Sequence, residues 1–301
     1  MIKNLLLFTA LVFSLRAFAT DFPDDPSRLL GILSDSGIRG PAYAKIVDEL
    51  NDIAKTYPEY TQVFTYGMSV RGRPLTLIKI ARTDIEAVLP AVYVGGSIHG
   101  NEYLNIEDRL PRWFAEQVKG KGSVAKYIAA GGAIYVAPIL NPDGYDNRGR
   151  ENDNGVDLNR DFTVNEANVT GLTEPETASL IQFLTTDLLK SNRKLALALD
   201  YHCCIGALLY PWSFTGPKLS KLDQERHLSI ARIMQKRLGA DMRSGTTPVI
   251  LGYSAKGTSK DFYWENFGAL GFTFEGRRNK ENQYFSQHTE MWAEIIAGIL
   301  P

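Results

Sequence analysis

The chain has 301 residues, with 33 Lys and Arg against 34 Asp and Glu, a formal net charge of -1 and a pI near 6.5. So even a balance argues against a nucleic-acid-binding or anionic-membrane surface. The length suits one large α/β domain whose core needs no disulfide staples.

Lys3, an apolar stretch over residues 5–15 and the small-x-small triplet Ala17-Phe18-Ala19 predict a signal peptide over residues 1–19. The apolar stretch is too short for a membrane anchor. A periplasmic or secreted protein is therefore expected, as a monomer. Residues 20–40, rich in Pro, Asp and Gly, read as an extended lead-in, and residues 41–301 as a single domain.

Apolar positions at helical spacing predict a first helix over residues 41–57, with Pro41 at its start. Two strands, 62–70 and 75–81, flank Arg71-Gly72-Arg73-Pro74 as a hairpin. The run Ala91-Val92-Tyr93-Val94-Gly95-Gly96 is short, β-branched and glycine-bounded, a buried strand. It leads into Ser97-Ile98-His99-Gly100-Asn101-Glu102, after which a helix is expected over residues 101–120. A strand over 133–140 ends in the turn Asn141-Pro142-Asp143-Gly144. The polar loop from there to about residue 168 is too long for an idle connection. A helix over 173–190 opens with Thr173 and Glu176 spaced as a capping box. A strand over 194–201 ends at His202, and a further strand is expected over 207–212. Helices over 222–238 and 259–267, a strand ending at Glu275 and a helix over 287–300 complete the chain. Strands alternating with long helices predict a three-layer α/β sandwich, with a mixed, mostly parallel central sheet and helices on both faces. The adjacent cysteines, Cys203 and Cys204, read as two small buried thiols. The usual Cα separation of a disulfide exceeds one peptide step, so a strained vicinal bridge is the minority reading.

In such sheets ligands bind beyond the carboxyl ends of the strands. Four polar stations lie there: His99 with Glu102, the loop after Leu140, His202 and Glu275. His-x-x-Glu alone is a weak signal, but His202 is the best third ligand among only four histidines. His99, Glu102 and His202 make a His₂Glu set suited to one catalytic Zn²⁺, with water in the fourth position. Zinc acidifies such a water and polarises a carbonyl. Glu275 is either paired structurally with Arg277 or Arg278, or poised over the metal; its residue environment leaves both open. Arg150, Asn159 and Arg160, in the loop, suit a carboxylate or developing negative charge.

These residues resemble the zinc metallocarboxypeptidases of the carboxypeptidase A type, over residues 40–300 and in family order. The resemblance implies a catalytic domain over residues 41–301. It implies zinc ligation by His99, Glu102 and His202, and an orienting role for Asp157 on a zinc histidine. Arg150 would polarise the scissile carbonyl, and Asn159 and Arg160 would grip the substrate's terminal carboxylate. Tyr253 would cap bound substrate, and Glu275 would act as general base. The sequence departs from the family at Asp161, where Asn is common, at Cys203-Cys204, and at Lys260. By position Lys260 falls at the base of the specificity pocket. A buried cation there would be left uncompensated by an apolar terminal residue and paired by an acidic one, most simply Glu. The expected activity is removal of an acidic C-terminal residue from peptides. A murein-peptide amidase cutting the D-Glu–diaminopimelate bond is the alternative, since diaminopimelate carries a second carboxylate. A catalytically inactive peptide-binding module is the remote one.

Overall fold

The computed structural model describes residues 35–299; the expected signal peptide lies outside them. Residues 35–40 carry no helix or strand, and the rest of the expected lead-in, 20–34, lies outside the described residues. Helix α1 (Tyr43–Thr56) buries Tyr43, Ile46, Leu50 and Ile53, the stripe its spacing predicts. Strands β1 (Thr61–Met68) and β2 (Pro74–Ala81) pair antiparallel as the expected hairpin. β3 (Ala91–Gly96) is buried at every residue.

The chain after β3 is not the long helix expected. A 3₁₀ turn over Gly100–Glu102 is followed by irregular backbone, and α2 begins only at Leu110 (Leu110–Gln117). Asn105 at φ +57° interrupts helical geometry, and Pro111 sits in the first turn of α2, where a missing N–H costs nothing. Helix α3 (Ser123–Ala129) leads into β4 (Ala133–Ala137). The long polar loop holds a short helix, α4 (Pro142–Asn147), and 3₁₀ turns at Leu158–Arg160 and Asn165–Ala167. Helix α5 spans Pro175–Lys190.

Next come β5 (Leu195–Tyr210), α6 (Lys221–Leu238), β6 (Arg243–Thr246) and α7 (Thr247–Leu251). Helix α8 (Ser259–Phe267), β7 (Leu270–Arg277) and α9 (Phe285–Ala297) complete the fold. The sheet order is β1-β2-β4-β3-β5-β6, with β7 also paired to β5. β4, β3 and β5 run parallel, and the hairpin adds antiparallel strands at one edge. The mixed sheet with helices on both faces is the architecture the sequence predicts.

Alternation along each strand divides the core. Val92, Val94, Ile134, Val136 and Tyr201 face α1, α2, α3, α6 and α9 through Leu50, Phe114, Tyr127, Met234 and Trp292. Ala91, Tyr93, Tyr135 and Ala198 face α5 and α8 through Leu180, Leu184, Phe262 and Tyr263. Each large apolar side chain so buried contributes about 1.5–3 kcal/mol.

β5 does not end at His202. Its residues Leu197 to Cys204 pair with Leu270 to Arg277 in ascending register; then Ala207, Leu208 and Leu209 pair with Glu275, Phe274 and Thr273 in descending register. The chain reverses around Gly206, at φ +65°, so β7 lies between two arms of β5. The expected strands 194–201 and 207–212 are these two arms. Cys203 and Cys204 form a disulfide, correcting the free-thiol expectation. Their Cα atoms are 3.1 Å apart, so the bridge is the vicinal form that the sequence reading held as the minority one.

The capping box at Thr173 does not form either: α5 begins at Pro175, with Glu174 as N-cap and no capping side chain from it. Asp161 does that work across the loop. Its carboxylate accepts the N–H of Thr173 (3.0 Å) and Glu174 (2.9 Å), and the hydroxyls of Thr173 (2.7 Å) and Thr177. This accounts for the acid at position 161, since four donors converge on it. Asp161→Ala should lower stability by about 2–3 kcal/mol, from buried donors left unpaired, read as a reduced urea midpoint.

Candidate active site

The site is assembled at the carboxyl ends of β3 and of the first arm of β5. Gly100 makes the ligand-bearing turn possible: a Cβ there would lie 1.9 Å from the carbonyl carbon of Gly144. Only glycine lets the turn pack against the start of the long loop. Asn141 fixes that loop from the other side. Its Oδ1 accepts Gly144 N–H at 2.8 Å, and its Nδ2 donates to the carbonyls of Ile98 and Arg150, each at 3.4 Å.

His99, Glu102 and His202 are all buried, and a ligand atom from each lies within 4.8 Å of the other two. His99 Nδ1 is 3.0 Å from Glu102 Oε1, His202 Nδ1 is 2.9 Å from Glu102 Oε2, and the two Nδ1 atoms are 3.2 Å apart. Asp157 accepts from His99 Nε2 at 2.9 Å. Arg150 Nη1 donates to His99 Nδ1 at 3.2 Å, so the ring proton belongs on Nε2 and the Nδ1 lone pair faces the cluster. Burial and Arg150 push the His99 pKa down, but Glu102 and Asp157 prevail and raise it. Burial brings His202 down to about 4, a neutral imidazole at neutral pH. Glu102 stays well below the carboxylate range against the cost of burial, because both histidines favour its charge. Two imidazole nitrogens and a carboxylate aimed at one point are a donor set that fits zinc.

Arg150 lies across this set. It donates to Glu102 Oε1 at 3.0 Å and, through Nε and Nη2, to Asp157 Oδ2 at 3.1 and 2.9 Å. Asp157 also accepts Asn159 N–H at 2.9 Å, so one carboxylate orients His99, Arg150 and the backbone of the following turn. Asn159 Oδ1 accepts Ser259 N–H at 3.0 Å, which joins that turn to α8. Arg160 Nη1 donates to the Asn159 carbonyl at 2.9 Å.

Glu275 stands beside His202 in the sheet register. It is not tied to the arginines that follow it. Arg277 pairs with Glu281, and Arg278 donates to the Asp35 carbonyl at 2.9 Å. Burial first, then the Glu102 carboxylate, raise the Glu275 pKa well above its usual range, against Arg150 and Lys260. Half-buried Tyr253 has its hydroxyl pKa raised, by burial first and then with opposing influences from Arg160, Glu275, Arg150 and Glu102.

Lys260 is only 2% exposed. Its Nζ donates to Ser213 Oγ at 2.6 Å and Thr247 Oγ1 at 3.1 Å. Burial lowers its pKa, and its charge interacts with Asp261, Arg160, Glu275 and Asp200. Hydrogen bonds, ion pairs and strand register thus bring His99, Glu102, His202, Asp157, Arg150, Asn159, Arg160 and Glu275 together, and Lys260 and Tyr253 interact electrostatically with Arg160 and Glu275. Sequence reasoning missed Ser213 and Thr247, which give no local signal, and Asp200. An acid inside the apolar run Leu197-Ala198-Leu199-Asp200-Tyr201 was a visible signal for the last. It is buried, two residues before His202, with its pKa up to about 7 chiefly through burial.

A family model for zinc carboxypeptidases matches residues 46–295. The chain belongs to the zinc carboxypeptidase family. Relatives of this zinc carboxypeptidase-family chain include carboxypeptidase SOL1 of Arabidopsis thaliana, 30% identical over 77% of this chain and 49% of that protein. Mouse carboxypeptidase A6 is 25% identical over 76% of this chain and 58% of that one. The chain therefore spans about half the length of these curated relatives. In fold it is similar to carboxypeptidase A from Helicoverpa armigera, with a TM-score of 0.71, 21% identity and coverage of 98% of this chain and 79% of that one. Among the described residues no helix is long and apolar enough to cross a membrane.

His202→Ala leaves two ligands, too few to hold zinc firmly. The purified variant should carry far less zinc than wild type by elemental analysis. Full zinc content in this variant would remove His202 from the ligand set.

Proposed function

We propose that this chain is an exported zinc metallocarboxypeptidase, binding one zinc per chain, that removes a C-terminal residue with an acidic side chain. The hydrolase reading is supported by the family and by the convergence of His99, Glu102 and His202. Bound there, zinc supplies Lewis acidity and an acidified water. Arg150 carries a guanidinium for the charge that develops on the scissile carbonyl oxygen. Arg160 and Asn159 receive the substrate's terminal carboxylate, and Tyr253 closes over it. Glu275 takes the proton of the attacking water and passes it to the leaving amine. Its place beside His202 in the sheet, with neither following arginine paired to it, supports this role. Export is supported by the pattern of residues 1–19 and by the Cys203–Cys204 disulfide, a bond that persists in oxidising compartments.

Lys260 carries the specificity reading. It neither reaches solvent nor pairs with the acids beside it in sequence. Asp261 accepts Ser213 N–H at 3.1 and 3.0 Å, and Glu265 accepts the N–H groups of Asn165 and Glu166. The two hydroxyls on Lys260 solvate its ammonium without neutralising it. An apolar side chain placed against it leaves a buried charge unpaired, a basic one meets like charge, and a carboxylate forms a charge-assisted pair.

Two experiments test these assignments. Glu275→Gln keeps size and polarity but cannot accept the proton. Its kcat should fall by at least about a hundredfold while zinc content stays at the wild-type level; near-normal turnover would exclude Glu275 as base. For specificity, peptides differing only in the terminal residue are compared by kcat/KM, beside a murein tripeptide ending in diaminopimelate. Wild type should favour Glu over Leu and Phe, and Lys260→Ile should reverse that order. A preference for Phe or Leu in wild type, or an unchanged order in Lys260→Ile, would exclude Lys260 as the determinant. Cleavage of the tripeptide with little on the Glu peptide would make the enzyme an amidase.

A further inference from the structure

The turn that presents His99 and Glu102 lies between two non-glycine residues with left-handed backbone, Ser97 at φ +46° and Asn105 at φ +57°. Such conformations persist where surrounding contacts over-determine them. One side chain contacts the backbone or side chain around both. Glu107, 0% exposed, accepts Ser97 Oγ–H at 3.2 Å on Oε1. It also accepts Leu104 N–H at 3.2 and 3.3 Å on its two oxygens, and Ile106 N–H at 3.1 Å on Oε2. Leu104 and Ile106 are the immediate neighbours of Asn105. A single carboxylate therefore ties the chain two residues before His99 to the chain just after Glu102. All three of these partners are donors to its oxygens, while burial and the neighbouring Asp108 raise its pKa to about 8.

We propose that Glu107 is a positioning residue for the metal, clamping both ends of the ligand turn so that His99 and Glu102 keep the separation the ion requires. The proposal rests on the reading of His99, Glu102 and His202 as the zinc ligands. Glu107 touches none of the three and acts only through the backbone that carries them. Asp157 restrains one imidazole ring directly; Glu107 restrains the segment bearing two of the three ligands.

The test is zinc affinity of the purified full chain, measured by chelator competition on the apo protein, with apo thermal unfolding recorded in parallel. Glu107→Gln replaces an acceptor with an amide that opposes backbone N–H donors. Its zinc Kd should rise about tenfold or more, as for residues that orient metal ligands. Ser97→Ala removes one clamp bond and should raise Kd about fivefold, the worth of one hydrogen bond, in a protein that keeps its fold. A merely structural role would lower the apo melting temperature and leave Kd at the wild-type value. Unchanged Kd in folded Glu107→Gln overturns the proposal; if that variant does not fold, unchanged Kd in Ser97→Ala overturns it. Wild-type protein that binds no zinc would overturn the triad reading and the clamp with it. Zinc binding that is lost in His202→Ala and unmoved in the clamp variants would overturn the clamp alone.

Discussion

The site depends on one arrangement that costs free energy to build: two imidazole nitrogens 3.2 Å apart across a buried carboxylate. Facing lone pairs and a desolvated acid are unfavourable without compensation. The fold supplies it from outside the cluster. Asp157 takes the far side of His99, Arg150 bridges Asp157 to Glu102, and the N–H of Cys203 donates to Glu102 at 3.2 Å. These restraints come from the long loop and from β5, so the loop is ordered by the same contacts that order the ligands.

Much of this was legible in the sequence because its signals are local. Strand periodicity placed β3, β4, the first arm of β5 and β7, and with them His99, His202 and Glu275. What was not legible depended on distant partners. The helix expected after Glu102 is delayed because Asn105 takes a left-handed backbone and the buried Glu107 accepts the N–H groups of Leu104 and Ile106, an alternative that apolar spacing does not register. Thr173 and Glu176 have capping-box spacing, yet Asp161 outcompetes them from twelve residues upstream of Thr173, and Glu176 instead accepts from Val70 N–H and Asn152. The neighbours of Glu275 were undecidable from sequence, since its two arginines are claimed by Glu281 and by the Asp35 carbonyl.

Charge in the cleft is layered along the strands. Thr273 pairs with Asp200 and Glu275 with His202, so the face that carries the ligand and the general-base candidate also carries an acid one step deeper. Lys260 interacts with both carboxylates and is solvated by hydroxyls alone. Its ammonium is thus balanced at a distance rather than paired at contact.

The reversal of β5 has a consequence for the order in which the molecule can be made. β7 inserts between two arms of a strand that precedes it by some sixty residues, pairing with Leu197 to Cys204 on one side and Ala207 to Leu209 on the other. Until it arrives both arms show unpaired backbone edges to each other. During synthesis from the N-terminus, the three candidate metal ligands and the loop leave the ribosome before Lys260 and Glu275 do. A nascent chain halted before residue 270 holds the whole donor set and lacks Glu275. Ligand set and general-base candidate are thus separated in time by the topology that later makes them neighbours.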